Sequence, residues 1–297
     1  MPKVSVVIPV FNGARYLKAA LDSLFAQTYL DYEVICLDDG SADDSSAILK
    51  SYGERLTVIR QKNAGQSASR NRGVARATGT YIAFLDQDDV WYPSKLERQI
   101  ERFATDPDAV LVHCDYDLID CEGRILRQGA GLVERSKALA SPLGQLIGEA
   151  LIFPSAMVLR RDAYLCAGGF CEDLRGFEDF DLIARLRQNG SFIRVDSPEM
   201  AYRAHEQGFS RSGGIGVIQS REKFLFRMQT LYAGDKVKAT LIRHMLADCY
   251  SDWGKHHILT DNRREGKRRL QQSIRCSPVR ARTYLRLLRA CMPRWFA

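Results

Sequence analysis

Over the first hundred positions, short runs of β-branched and other apolar residues alternate with helical spacings. The run VSVVIPV (4–10) has a single polar interruption and suits a strand buried on both faces. Leu17, Leu21, Leu24 and Phe25 then recur at i, i+4, i+7 and i+8, which places one apolar face on a helix. EVICLD (33–38) predicts a second strand, followed by a helix that opens at Ser41 and Asp44 with capping-box spacing and runs to about Tyr52. LTVIR (56–60) precedes a helical stretch over about 67–77, and YIAFLD (81–86) precedes a helix from about Ser94 to Phe103. This alternation predicts βαβ units, hence a parallel sheet with helices on both faces.

Beyond about residue 104 the rhythm loosens. AVLVHCDYDLI (109–119) and RILRQ (124–128) predict a hairpin around CEG, and residues 129–154 read as a Gly-rich irregular loop or flap. SAMVLR (155–160) returns to strand character, Asp181 to Gln188 is helical, and from about Gly216 the chain reads as helices only. The expected division is a domain over 1–215 and a helical extension over 216–297.

Composition narrows the class. With 45% hydrophobic and 27% charged residues, fibrous and mostly disordered readings are excluded. No window offers ~20 apolar residues free of charge, so a spanning helix is not expected. The N-terminus enters a strand-like run at once with no small-residue cleavage site, which predicts a cytoplasmic protein. Eight cysteines never form a CxxC pair, which removes zinc and dithiol chemistry and leaves them reduced. The net charge of +7 is uneven: residues 235–297 carry 15 Lys+Arg against 5 Asp+Glu, and the remainder is slightly acidic.

Ligands of open parallel sheets bind beyond the carboxyl ends of the strands. There the chain places Pro9-Val10-Phe11-Asn12-Gly13, Asp38-Asp39-Gly40-Ser41 and Asp86-Gln87-Asp88-Asp89. Helix capping accounts for Ser41 and Asp44. It does not account for three aspartates within four residues, because crowded carboxylates repel unless a cation neutralises them. Hard oxygen ligands of this kind suit Mg²⁺ or Mn²⁺. The first strand is followed by no GxGxxG, which argues against a dinucleotide-dependent oxidoreductase, and by no Gly-rich basic loop of the kind a sugar nucleotidyltransferase would want.

Five stretches taken in order resemble the inverting family 2 glycosyltransferases of GT-A fold: VSVVIPVFNGARYLKAALDSLFAQTY, LDDGSADDS, NAGQSASRNRGVARATGTYIAFLDQDDVW, GGFCEDLRGFEDFDLIARL and AYRAHEQGFSR. They cover residues 3 to about 211. The resemblance implies an α/β GT-A fold, a Rossmann-like and mostly parallel sheet flanked by helices, here with a C-terminal helical extension. It implies Pro9, Phe11 and Asn12 against the nucleotide base, Asp39 accepting from a uracil ring, and Arg70 near the nucleotide. Asp86 would lie near the ribose. Asp88 would bind Mn²⁺ or Mg²⁺ bridging the diphosphate, with Asp89 behind it and His205 near the metal. Arg203 and Ser210 would contact the diphosphate. Asp179 of the Glu178-Asp179 pair would be the catalytic base, with Glu178 beside it. The implied partners are a UDP-sugar donor and a saccharide or lipid-linked acceptor. The alternative from another class is a non-catalytic nucleotide-sugar-binding scaffold at a membrane.

For the basic C-terminal stretch, nucleic acid is not expected, since aromatic residues are not interleaved with the arginines. A solvated helical surface and peripheral contact with anionic lipid on the inner face of a membrane both remain open. The second rests on Tyr284, Leu285, Leu287, Leu288, Trp295 and Phe296 standing among Arg282, Arg286, Arg289 and Arg294.

Overall fold

The computed structural model describes residues 3–149, 152–205, 215–279 and 281–291. The expected alternation is present: β1 (Val4–Val10), α1 (Ala14–Phe25), β2 (Tyr32–Asp38), α2 (Ser45–Ser51), β3 (Thr57–Arg60), α3 (Gln66–Arg76) and β4 (Tyr81–Phe84). All seven residues of β1 are buried. β1 lies between β2 and β4 and pairs in parallel with both, so its carboxyl end opens at the middle of one sheet edge.

The second half is mixed rather than mostly parallel. It holds β5 (Val90–Trp91), α4 (Lys95–Arg102), β6 (Ala109–Ile119), β7 (Ile125–Arg127), β8 (Met157–Arg160), α7 (Arg161–Cys166), α8 (Glu178–Leu186) and β9 (Ser191–Arg203). The sheet order is β3-β2-β1-β4-β8-β6-β9-β5, with β7 on β6. β8 runs antiparallel to both β4 and β6, β5 runs antiparallel to β9, and β6 and β9 are parallel. Apolar runs do not encode strand direction. Direction follows from where each connection delivers the chain, and the short turn between β6 and β7 permits only antiparallel pairing.

Two local expectations are corrected. Residues 129–154 are not an irregular loop but carry two helices, α5 (Ala130–Ala140) and α6 (Pro142–Ile147). Gly129 and Gly148 take positive φ just outside them, so these glycines mark helix ends. Ser141 caps α6, its Oγ accepting from Gly144 N at 3.0 Å. At α2 the capping box does not form, because Ser41 Oγ accepts from Asn12 N instead and Asp44 makes no side-chain cap. Asp43 fills that place, its Oδ1 accepting from Ser45 N at 3.0 Å.

The chain forms two compact units. One comprises residues 1–172 and 178–208, and the other 173–177 and 209–297. The second holds α9 (Ile215–Leu231), α10 (Lys236–Leu259), α11 (Arg263–Cys276) and α12 (Ala281–Cys291). The short piece 173–177 joins it through Arg175 N, which donates to Ser220 Oγ at 2.5 Å, and Phe177, which stacks on Phe224 at 5.4 Å between ring centroids. Residues up to 172 and from 178 belong to the sheet unit, so chain order alone would have assigned this piece there.

Candidate active site

The carboxyl ends of β1, β2 and β4 and the start of α8 bring most of the expected residues together. Asp86 follows β4, and its Oδ1 accepts from Arg70 NH2 at 2.5 Å. Arg70 is 1% exposed and lies over the Phe170 ring, yet its Nε and NH1 are buried with no hydrogen-bond partner. A guanidinium with two unused donors in a buried place is costly unless something else accepts from them. Asp86, Asp179 and Glu178 all act on it electrostatically.

Asp179 stands in the first turn of α8, where a helix dipole favours negative charge. Its Oδ1 is buried and unpartnered. Burial, and then the neighbouring Glu178 charge, push its carboxyl up to about 8, while Arg70 pulls the other way. Such a carboxyl titrates in the range where a general base is most useful. Glu178 is placed differently from a free catalytic group: it is 2% exposed and accepts from Gln66 Nε2 at the start of α3. Behind α8, Arg185 donates to Asp181 and to the carbonyls of Ala167 and Gly169, which ties the helix to the GGF turn. Gly169 there has φ +69, and Asn71 Oδ1 accepts from Phe170 N at 2.9 Å.

Asp88 and His205 meet, with His205 Nε2 2.8 Å from Asp88 Oδ2. Burial and the charge of Asp86 raise the Asp88 carboxyl above its ordinary value, and Asp89, 2% exposed, is raised further. The tetrapeptide thus concentrates negative charge that Arg70 compensates on one side only. Among the described residues no group of three or more His, Cys, Asp or Glu side chains surrounds a point as a complete cage. One or two protein ligands completed by substrate phosphates and water are the ordinary holding of Mg²⁺. A carboxylate beside an imidazole, next to uncompensated charge, fits that pattern.

Several residues serve as struts. Arg203, expected on the diphosphate, is 6% exposed, and its Nε donates to Asp88 O at 2.9 Å and its NH1 to Asp120 O at 3.0 Å. Its backbone N donates to Asp89 Oδ1 at 3.2 Å. The role seen is support of the acidic loop. Asp39, expected to receive a uracil ring, already accepts from Gln61 Nε2, Ala64 N and Gly65 N. A carboxylate has about four acceptor positions, so one is left. Asn12, at φ +48, spends its Oδ1 on Ala42 N, and Pro9 is buried within β1. Phe11 is 45% exposed. Ser210, Trp295 and Phe296 lie outside the described residues.

The structure adds residues that sequence reasoning passed over. Gln87, the middle residue of Asp86-Gln87-Asp88, accepts from Phe11 N at 2.9 Å and donates to Phe11 O at 3.0 Å, pinning the β1 loop to the acidic loop. Gly13 leaves room for it, since a Cβ there would collide with that amide. Ser155 is fully buried, its Oγ accepts from Asp86 N at 3.0 Å, and its carbonyl accepts from Trp91 Nε1 at 2.9 Å. The Tyr16 ring lies 4.7 Å from the Arg203 guanidinium and 5.0 Å from the His205 ring. None carries charge or a spacing that would have marked it.

The profile of the glycosyl transferase family 2 matches residues 5–166, more than half of the chain. The chain belongs to glycosyl transferase family 2. Among relatives in that family, the uncharacterized glycosyltransferase RP339 of Rickettsia prowazekii (strain Madrid E) is 36% identical over 203 residues, 66% of this chain and 60% of that protein. The uncharacterized glycosyltransferase alr2836 of Nostoc sp. (strain PCC 7120 / SAG 25.82 / UTEX 2576) is 41% identical over 167 residues, 54% of this chain and 51% of that protein. The matches thus span half to three fifths of those relatives. Of solved structures, S. aureus TarS 1–349 in complex with UDP-GlcNAc superposes with a TM-score of 0.69 at 17% identity, covering 96% of this chain and 84% of that one. Mannosyltransferase PcManGT from Pyrobaculum calidifontis, in complex with GDP-Man and Mn²⁺, gives 0.57 at 16% identity over 98% and 88%. Mixed sheet, flanking helices and C-terminal helices make this the GT-A fold expected for the family.

Proposed function

We propose that the chain is a metal-dependent, inverting glycosyltransferase that moves a sugar from a UDP-sugar to a hydroxyl of a saccharide or lipid-linked saccharide. The observation that carries the reading is the convergence, in one unit, of Asp88 with His205, of Arg70 with Asp86, and of an Asp179 carboxyl with a buried, unpartnered oxygen. Family membership supports the class of reaction, and the UDP-GlcNAc and Mn²⁺ complexes of the structural neighbours support the donor and the ion.

Asp88 and His205 would hold Mn²⁺ or Mg²⁺, whose chemistry there is neutralisation of the departing diphosphate. The chain's own residues do the rest. Arg70 offers its two unused donors to the bound donor substrate and holds Asp86 in place. Asp179 takes the proton of the acceptor hydroxyl as that oxygen bonds to the anomeric carbon, and attack opposite the diphosphate inverts the centre. Glu178, fixed by Gln66, keeps Asp179 hungry for that proton. Ser155, Gln87 and Arg203 hold the acidic loop rigid, so that little ordering is left for the moment of reaction.

The test is UDP or GDP release from a panel of UDP- and GDP-sugars, with Mn²⁺, Mg²⁺ or chelator. Release from a UDP-sugar that needs both the ion and Asp179 is the expected result. Tight UDP-sugar binding with no release on any acceptor would instead favour a non-catalytic scaffold.

A further inference from the structure

The last helix is built with its apolar side outward. α12 is seated by Thr283 and Ala290, both 2% exposed. Thr283 Oγ1 lies 3.4 Å from both Ser251 Oγ and Ser273 Oγ, and Arg286 NH1 donates to Ser251 Oγ at 2.7 Å. The inward face thus offers hydroxyls and a guanidinium together with only one buried apolar side chain, Ala290. On the opposite face Leu285 and Leu288 are each 59% exposed, Tyr284 is 41% exposed, and Arg282 and Arg289 border them in solvent. Burying a leucine stabilises a fold, so this orientation forgoes stabilisation that turning the helix would have gained.

We propose that the outer face of α12 is a docking surface for an anionic lipid bilayer, with the helix lying in the plane of the headgroups. Charge decides among possible occupants. Residues 263–291 hold ten Lys or Arg and a single acid, Glu265; Arg268 and Arg269 pair with Glu265, Arg269 also with Glu222, and Arg286 with Asp252, which leaves the face net positive. On α11, Gly266, Leu270 and Ser273 face inward, while Arg264, Arg275 and the Glu265-paired Arg268 share an outward stripe. A second copy would oppose this positive face with its own, which costs free energy. An anionic surface attracts it more strongly with each basic residue brought close. The 11 residues of α12 span roughly 16 Å at ~1.5 Å each, too short to cross a ~30 Å hydrocarbon core and suited to lying along it.

The experiment needs no donor and no turnover, so its outcome is separate from that of the transfer reading. The full chain is sedimented with vesicles of phosphatidylcholine alone or mixed with phosphatidylglycerol, at low and high salt. Parent protein should bind the anionic vesicles at low salt, lose them at high salt as screening shortens, and ignore the neutral ones. Leu285→Glu with Leu288→Glu, and separately Arg282→Glu with Arg289→Glu, should each weaken binding about tenfold or more. Their melting temperatures should stay near the parent's, because all four side chains point to solvent. Equal binding by parent and the leucine variant would overturn the proposal, as would no binding to anionic vesicles. A parent that is dimeric in vesicle-free buffer, and monomeric with the leucines replaced, would assign the face to a second copy instead.

Discussion

Arg70 NH2 donates to Asp86 Oδ1 at 2.5 Å, while the other two nitrogens of the same buried guanidinium have no partner. The pair forms a half-finished network, anchored on the acidic loop through one nitrogen, while the Asp179 charge also acts on the guanidinium. Arg70→Met should therefore act on both fold and site. Removing one member of a buried ion pair leaves the other uncompensated, and here 26% of the Asp86 side chain stays in solvent, so roughly 2–4 kcal/mol of stability should be lost. Arg70→Lys should keep more of the stability and still bind nucleotide weakly, since an ammonium lacks the planar fork. Denaturant melts and calorimetric UDP titration read the two effects.

Asp179→Asn keeps shape and removes the proton acceptor. Turnover should fall by ~10²–10⁴ with UDP affinity little changed. In the parent, the rate should rise with pH until the carboxyl is ionised near 8, and the residual rate of the variant should lack that rise. Turnover within a few-fold of the parent would move the base elsewhere.

The same group makes a stability prediction of definite sign. Its folded value, about 8, lies above the ~3.9 of an unfolded aspartate, so the fold prefers the protonated form. The destabilisation is absent below about pH 4 and grows until the pH passes the folded value. Asn never ionises. Asp179→Asn should therefore melt higher than the parent at pH 9 by more than at pH 5. A gap independent of pH would show that the ionised form is accommodated.

Asp88→Asn should weaken UDP binding in the presence of Mn²⁺ and leave binding in chelator unchanged. Parent protein fully active in excess chelator would remove the ion from the reaction.

Ser155→Ala tests a support that touches no substrate. It strips the acceptor from Asp86 N in a fully buried place, a loss of about 1–3 kcal/mol. The expected kinetic signature is a raised Mn²⁺ concentration for half-maximal activity, rescued in part by Ser155→Thr. A drop in melting temperature with unchanged metal response would make the serine purely structural.

Much of the first hundred residues was legible because their information is local. Strand runs, helical spacings and the Asp-rich ends of β2 and β4 depend on neighbours a few positions apart, and chirality then fixes how βαβ units wind. The acidic stretch Asp86 to Asp89 stood out for the same reason, since it ends a strand that can be read, whereas Asp179 was singled out through the family resemblance. Tertiary structure decided what those charges are free to do. It spent Asp39 on Gln61 and the Ala64–Gly65 backbone, turned Arg203 into a prop for Asp88, and left Asp179 Oδ1 buried without a hydrogen-bond partner. It also recruited Gln87, Ser155 and Tyr16, neutral residues that matter only through partners 64 to 189 positions away. The directions of β8 and β5, and the outward leucines of α12, belong to the same class. A hydrophobic pattern states that a face is apolar, but which surface covers it is settled only when distant segments compete for the same partners.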